Sequence, residues 1–230
     1  MKLDRLISNL PDYSRHSARL LIASGQVCVE GLIVRDVNAE IDRFMSVTLN
    51  GQCIQAANPA RYLLLHKPVG FLSATQDPQH PTVLECLPAA LRSNLHIAGR
   101  LDRSSSGLLL LTNDGLWSRR ITAPEKKTPK VYLVSTAYPL SPDTAERFAR
   151  GMYFAHEGIM LQPAYLQQLS PCQARLTIHE GRYHQIKRMF HAVGNRVTSL
   201  HRESMGSIVL DPGLRPGEYR PLTQDEVASI

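Results

Sequence analysis

The sequence has no run of eighteen apolar residues, the length a membrane-spanning helix needs. Its first residues, Met1-Lys2-Leu3-Asp4-Arg5, show neither the apolar stretch nor the cleavage site of a signal peptide. No membrane partner is expected, and the expected location is the cytoplasm. The four cysteines, Cys28, Cys53, Cys86 and Cys172, stand far apart without a C-x-x-C pair. They read as scattered buried thiols in a reducing compartment, which excludes a disulfide framework and a zinc site. There is no P-loop and no G-x-G-x-x-G. His179-Glu180 followed by His184 is one residue too long for H-E-x-x-H, and Gly181 interrupts the helix such a site needs. His66, His80, His96, His156, His191 and His201 show no repeating ligand spacing, so no metal or cofactor is expected.

What is present is ordinary globular material with a basic bias. The 230 residues are 43% hydrophobic, enough for a core in one large domain or in a small and a medium one. The net charge is +6 and the isoelectric point about 9.3, a balance that favours a polyanionic partner. Residues 1–58 hold six basic and six acidic side chains, so the whole excess lies in residues 59–230. There Arg119, Arg120, Lys126, Lys127 and Lys130 oppose only Glu125. A second cluster, Arg182, Lys187, Arg188, Arg196 and Arg202, opposes Glu180 and Glu203.

Residues 1–58 form a module of their own. Leu3, Leu6, Ile7 and Leu10 follow helical spacing up to Pro11, and Ser14 can cap a second helix carrying Ala18, Leu21 and Ile22 to Gly25. Two strand pairs follow, around Glu30-Gly31 and around Asn50-Gly51, the latter a strong two-residue hairpin signal. Residues 55–59 read as a linker ending at Pro59. In residues 59–230, strand-length apolar runs occupy 61–66, 108–112, 130–136, 164–169 and 175–179. Asp114 can cap one helix, and Ser141-Pro142 can start another that ends at Gly151. The alternation lacks the regular β-α period of a doubly wound sheet. The expected class is α+β, with a mixed, largely antiparallel sheet flanked by helices.

In residues 183–193, Ile186, Met189, Phe190 and Val193 form one apolar stripe that Gly194 ends. At about 100° per residue Lys187 falls at the border of that stripe while Arg188 faces away. Lys187 can therefore reach into a cleft, or lie along the edge of a core as a snorkelling lysine.

Gly99-Arg100-Leu101-Asp102-Arg103 precedes a Ser/Gly turn and the four leucines at 108–111. An acid between two cations, next to a turn rich in backbone donors and at the edge of a buried run, is held ionised. That suits a nucleophile better than a general acid. The plain alternative is a surface acid in an arginine-rich loop.

Four stretches in order resemble the pseudouridine synthases, within them the branch that modifies 16S rRNA of the small ribosomal subunit. They are Arg61-Tyr62-Leu63-Leu64-Leu65-His66-Lys67-Pro68-Val69-Gly70, Gly99-Arg100-Leu101-Asp102, Lys130-Val131-Tyr132-Leu133-Val134, and Glu180-Gly181-Arg182-Tyr183-His184-Gln185-Ile186-Lys187-Arg188-Met189. The resemblance implies that Asp102 is the catalytic aspartate, Tyr132 the active-site tyrosine, Lys187 the basic partner of Asp102 and Arg100 the side chain that takes the place of the flipped-out base. Arg182, in a Gly-containing turn, is the rival partner for Asp102. Arg103, Arg182 and Arg188 are candidate RNA contacts, and the histidines outside the motifs read as structural or RNA-facing. Residues 1–58 resemble the ribosomal protein S4-like RNA-binding domain, which implies that Arg15 and Arg19, with His16 and Arg5 nearby, face phosphates.

The implied reaction is isomerisation of a uridine in 16S rRNA, free or in an assembling small subunit, by a monomer without a cofactor. Three other readings remain: a pseudouridine synthase of another ribosomal RNA, a non-catalytic assembly factor, and a hydrolase. The last would want a second carboxylate, and the motifs show none.

Overall fold

Ser14 accepts a hydrogen bond from the Ser17 N–H at 3.1 Å, and that cap starts the second of the two helices that open the chain. These are α1 (Leu3–Ser8) and α2 (Arg15–Ala23). In the computed structural model, which describes residues 1–155 and 157–230, the contacts divide the chain into Met1–Ala60 and Arg61–Ile230. After α2 come β1 (Val27–Val29), β2 (Leu32–Ile33), β3 (Val47–Leu49) and β4 (Gln52–Gln55). They form an antiparallel sheet in the order β2-β1-β3-β4. Asn50 and Gly51 have φ of 51° and 77°, the positive pair that a tight hairpin turn requires. Leu3, Ile7, Ala18 and Ile22 from the helices meet Val27, Val47 and Leu49 from the sheet in the core of this unit.

The second unit runs β5 (Tyr62–Lys67), α3 (Ala89–Arg92), β6 (His96–Ala98), β7 (Ser106–Thr112), α4 (Gly115–Thr122), β8 (Lys130–Thr136) and α5 (Thr144–Ala149). The small hairpin β9 (Tyr153–Phe154) and β10 (Ile159–Met160) follows, then β11 (Tyr165–Ser170), β12 (Gln173–Ile178) and α6 (Gln185–Ala192). The unit closes with β13 (Val197–Met205), β14 (Ile208–Val209), β15 (Tyr219–Pro221) and α7 (Gln224–Ala228). The main sheet has the order β11-β12-β8-β13-β7-β5-β15, with β6 beside β7 and β14 beside β13. Only the β13–β7 pairing is parallel, so the sheet is mixed and largely antiparallel.

The four leucines are buried on alternate faces, as a strand covered on both sides demands. Leu109 and Leu111 join Leu63, Leu65 and Val134 on one face. Leu108 and Leu110 join Leu64, Trp117 and Ile121 on the other. Helices α5 and α6 cover the first face, where Phe148 and Phe190 meet edge to face at 5.1 Å. Helix α4, capped by Asp114, covers the second.

The structure corrects the expected placement of charge. β13, which no apolar run announced, lies between β8 and β7, and its Arg202 is only 1% exposed. Lys130 is buried as well. Neither belongs to a solvated basic patch, whereas Arg119, Arg120, Lys126, Lys127 and Arg196 are exposed. The cysteines are free, but Cys53 is exposed and the other three are half-buried rather than buried.

Candidate active site

Asp102 stands in the loop between β6 and β7, and buried cations grip that loop from beneath. Lys67, with no exposed surface, donates to the carbonyls of Ser105 at 2.7 Å, Pro68 at 3.0 Å and Arg103 at 3.4 Å. Burial lowers the Lys67 pKa to about 8, and the Asp102 charge opposes that shift. Arg202 donates to the carbonyls of Leu108 at 2.8 Å and Gly99 at 2.9 Å. Ser73 Oγ accepts from the Leu101 N–H at 3.1 Å and donates to the Leu101 carbonyl at 2.7 Å. Gly107 lets β7 approach β13 closely: it has φ of 107°, and a Cβ there would overlap the Arg202 backbone. The loop's shape is therefore fixed by the fold.

The carboxylate itself faces α6. Lys187 Nζ lies 2.8 Å from Asp102 Oδ2 and also donates to Ser104 Oγ at 2.8 Å. Of the two cations that the sequence left as rivals, Lys187 is thus the partner. Arg182 turns away, with Nε 3.3 Å from Glu180 Oε2. Glu180 Oε1 accepts from Gln185 Nε2 at 3.0 Å and from the Gln162 N–H at 2.9 Å, while Gln185 Oε1 accepts from the Arg182 N–H at 3.0 Å. This clasp shapes the turn between β12 and α6.

A cavity of about 80 Å³ opens between Asp102, Ser105, Tyr132, Ile178, His184 and Arg100. It adjoins a cleft of about 750 Å³, and the two share Arg100, Tyr132, Gly181 and Arg182. Tyr132 on β8 is 6% exposed. Lys130 faces the cleft, its pKa lowered to about 8 by burial and by Arg202, against the pull of Glu180. Arg100 is exposed at the shared rim, and its guanidinium forms no ion pair among the described residues. Ser105 Oγ is buried without a hydrogen-bond partner among them.

Other expected contacts are already engaged within the protein. Arg188 does not face solvent alone: its two terminal nitrogens lie 2.5 and 2.6 Å from Glu157, and its guanidinium covers the Phe154 ring at 3.9 Å. Arg103 donates to the Gly70 carbonyl at 3.2 Å and meets His80 at 3.2 Å. Arg19 pairs with the buried Asp4 at 3.1 Å, while Arg5, Arg15 and His16 are exposed. His66 and His201 are half-buried, bonded to the Leu214 carbonyl and Ser106 Oγ. His156 lies outside the described residues. No group of three metal-ligating side chains gathers among the described residues, and no described helix is long and apolar enough to cross a membrane.

Sequence reasoning missed His184, whose Nε2 is 3.5 Å from Asp102 Oδ1. It also missed Lys67, which stood in a quoted motif without a role. The signal for Lys67 was a lysine closing a strand that opens with Tyr62 and three leucines.

Residues 61–192 match the model of the RNA pseudouridylate synthase family. The chain is 52% identical to the ribosomal small subunit pseudouridine synthase A of Pseudomonas aeruginosa over the full length of both. It is 46% identical to the protein of that name from Escherichia coli K12, again over the full length of both. A crystal structure of a pseudouridylate synthase superposes with a TM-score of 0.73 at 38% identity, covering 100% of this chain and 99% of that one.

Proposed function

The chain belongs to the RNA pseudouridylate synthases, and from that premise we propose that it isomerises a uridine of small-subunit 16S ribosomal RNA with Asp102 as nucleophile. The observation that carries this reading is the Asp102–Lys187 pair at 2.8 Å, beside a cavity that Tyr132 also lines. The Lys187 ammonium, itself anchored on Ser104 Oγ, holds the carboxylate in place. A uridine extruded from folded RNA enters the cavity, at a cost of a few kcal/mol of unstacking. Arg100, exposed at the rim, fills the vacancy it leaves. Asp102 attacks and bonds to the nucleotide, the N1–C1′ bond breaks, the uracil turns, a C5–C1′ bond forms, and the bond to Asp102 breaks to release the free carboxylate. The proton leaving C5 is matched by one gained at N1, so atoms and electrons balance within the nucleotide. Tyr132 stacks on the uracil and helps to remove the C5 proton.

The unit Met1–Ala60 acts as an S4-like RNA-binding module in this reading, with Arg5, Arg15 and His16 exposed toward phosphates. The enzyme works as a monomer in the cytoplasm. The test incubates unmodified small- and large-subunit ribosomal RNA, free and in assembling particles, and maps products by carbodiimide-stopped primer extension. A new stop in small-subunit RNA is expected. Stops confined to large-subunit RNA, or release of free uracil, would overturn the assignment.

A further inference from the structure

Tyr183 is 77% exposed, the most exposed large side chain of apolar character among the described residues. It is nevertheless not loose. Its ring lies on the His184 imidazole with centroids 3.9 Å apart and planes 18° from parallel. Such exposure with one face covered leaves the other face open. His184 holds φ of 50° and ψ of 27° at the start of α6, a left-handed conformation that is strained for a residue with a side chain. The Glu180–Gln185 clasp brackets both rings, so the stack is fixed to the body of the domain.

Its position is equally specific. His184 lines the small cavity with Asp102, and Tyr183 lines the larger cleft with Arg100, Arg182 and Lys130. The stacked pair therefore stands where a strand would pass after one of its nucleotides has entered the cavity. Extruding a base strips its neighbour of a stacking partner, and an aromatic face restores that contact for any base.

We propose that Tyr183, backed by His184, is a stacking platform for the base next to the flipped uridine, an inference that rests on the reading of this site as RNA-modifying. A base laid on the open face of Tyr183 extends the stack to three rings. The platform sets the register of the strand, while Asp102 does the chemistry.

The test uses full-length protein and a synthetic RNA carrying the mapped uridine. Tyr183→Ala is expected to raise KM and the RNA dissociation constant about tenfold, the loss of one base–aromatic stack, with kcat kept. Tyr183→Phe and Tyr183→Trp are expected to restore binding, because the stack needs no hydroxyl. Trp117 is the sole tryptophan and is buried, so the indole introduced at the exposed position reports directly, and RNA is expected to quench it. Binding without quenching overturns the platform. So does a fall in kcat at unchanged KM, which would make Tyr183 a support for His184 and Asp102. Absence of pseudouridine with wild type would instead strike the reading of the site, while quenching still judges the platform.

Discussion

The two segments that meet across the Asp102–Lys187 pair are held in opposite ways. Residues 99–107 are fixed from below, by Lys67 and Arg202 donating to main-chain carbonyls in the interior. Residues 180–188 are held mainly through side chains, by the Glu180–Gln185 clasp, the Gln162 N–H and the Arg188–Glu157 pair, and Arg182 and Lys187 keep 46% and 29% of their side-chain surface exposed. A buried cation without partners is costly, so the first segment cannot shift without losing several bonds at once. Partly exposed ion pairs are worth about 0–1 kcal/mol and are readily exchanged for a phosphate. Asp102, the proposed nucleophile, thus sits on the rigid wall, and the proposed RNA contacts lie on the adjustable one.

The largest effect that tests this contrast is Lys67→Met. It strips the Lys67 donor from the Ser105 and Pro68 carbonyls and from the Arg103 carbonyl, which keeps only the Gly70 N–H, and is expected to cost about 3 kcal/mol or more of stability, read from urea unfolding, with activity falling in parallel. A variant as stable as wild type would make both walls equally soft. Lys187→Gln is expected to change stability by less than about 1 kcal/mol but to lower kcat about 100-fold through a misplaced carboxylate; steady-state kinetics on the mapped RNA separates the two. Glu180→Gln loosens the turn around Arg182, and a KM increase of about two- to fivefold with little change in kcat is expected. If kcat fell as far as in Lys187→Gln, the second wall would be as rigid as the first.

A separate effect is on pH. Burial lowers Lys67 and Lys130 to about 8 in the folded protein, below the usual lysine value near 10.4. Between those values the unfolded chain holds protons that the folded one has released, so these two groups make stability rise with pH. Below about pH 8 their contribution is constant. Urea midpoints of wild type and Lys67→Met at pH 8 and pH 10 should therefore diverge, wild type gaining on the variant.

Much of this contrast was legible in the sequence, and the missing parts share a cause. Asp102 announced itself because charges and a Ser/Gly turn sit next to it in the chain. The α6 stripe placed Lys187 at the border of the core, where the structure has it. The choice against Arg182 was not legible, because Glu180 and Gln185 capture Arg182 only once the turn has folded. β13 escaped because its register shifts at Val197/Ser199 and Arg202/Ser204 break the alternation that marks a strand. Arg202 then counted as surface charge when it is a buried strut. Arg188 was read correctly as leaving the helix stripe, but the residue waiting for it, Glu157, lies on the far side of three strands in sequence.

The most direct measurement compares wild type and Asp102→Asn, an exchange that removes the negative charge and keeps the shape, on the same unmodified 16S rRNA under single-turnover conditions. Wild type should convert one uridine, and Asp102→Asn should bind the RNA with the same affinity, unfold at the same urea concentration and form no pseudouridine. Equal modification of that uridine by both proteins would show that the rigid wall holds something other than the nucleophile.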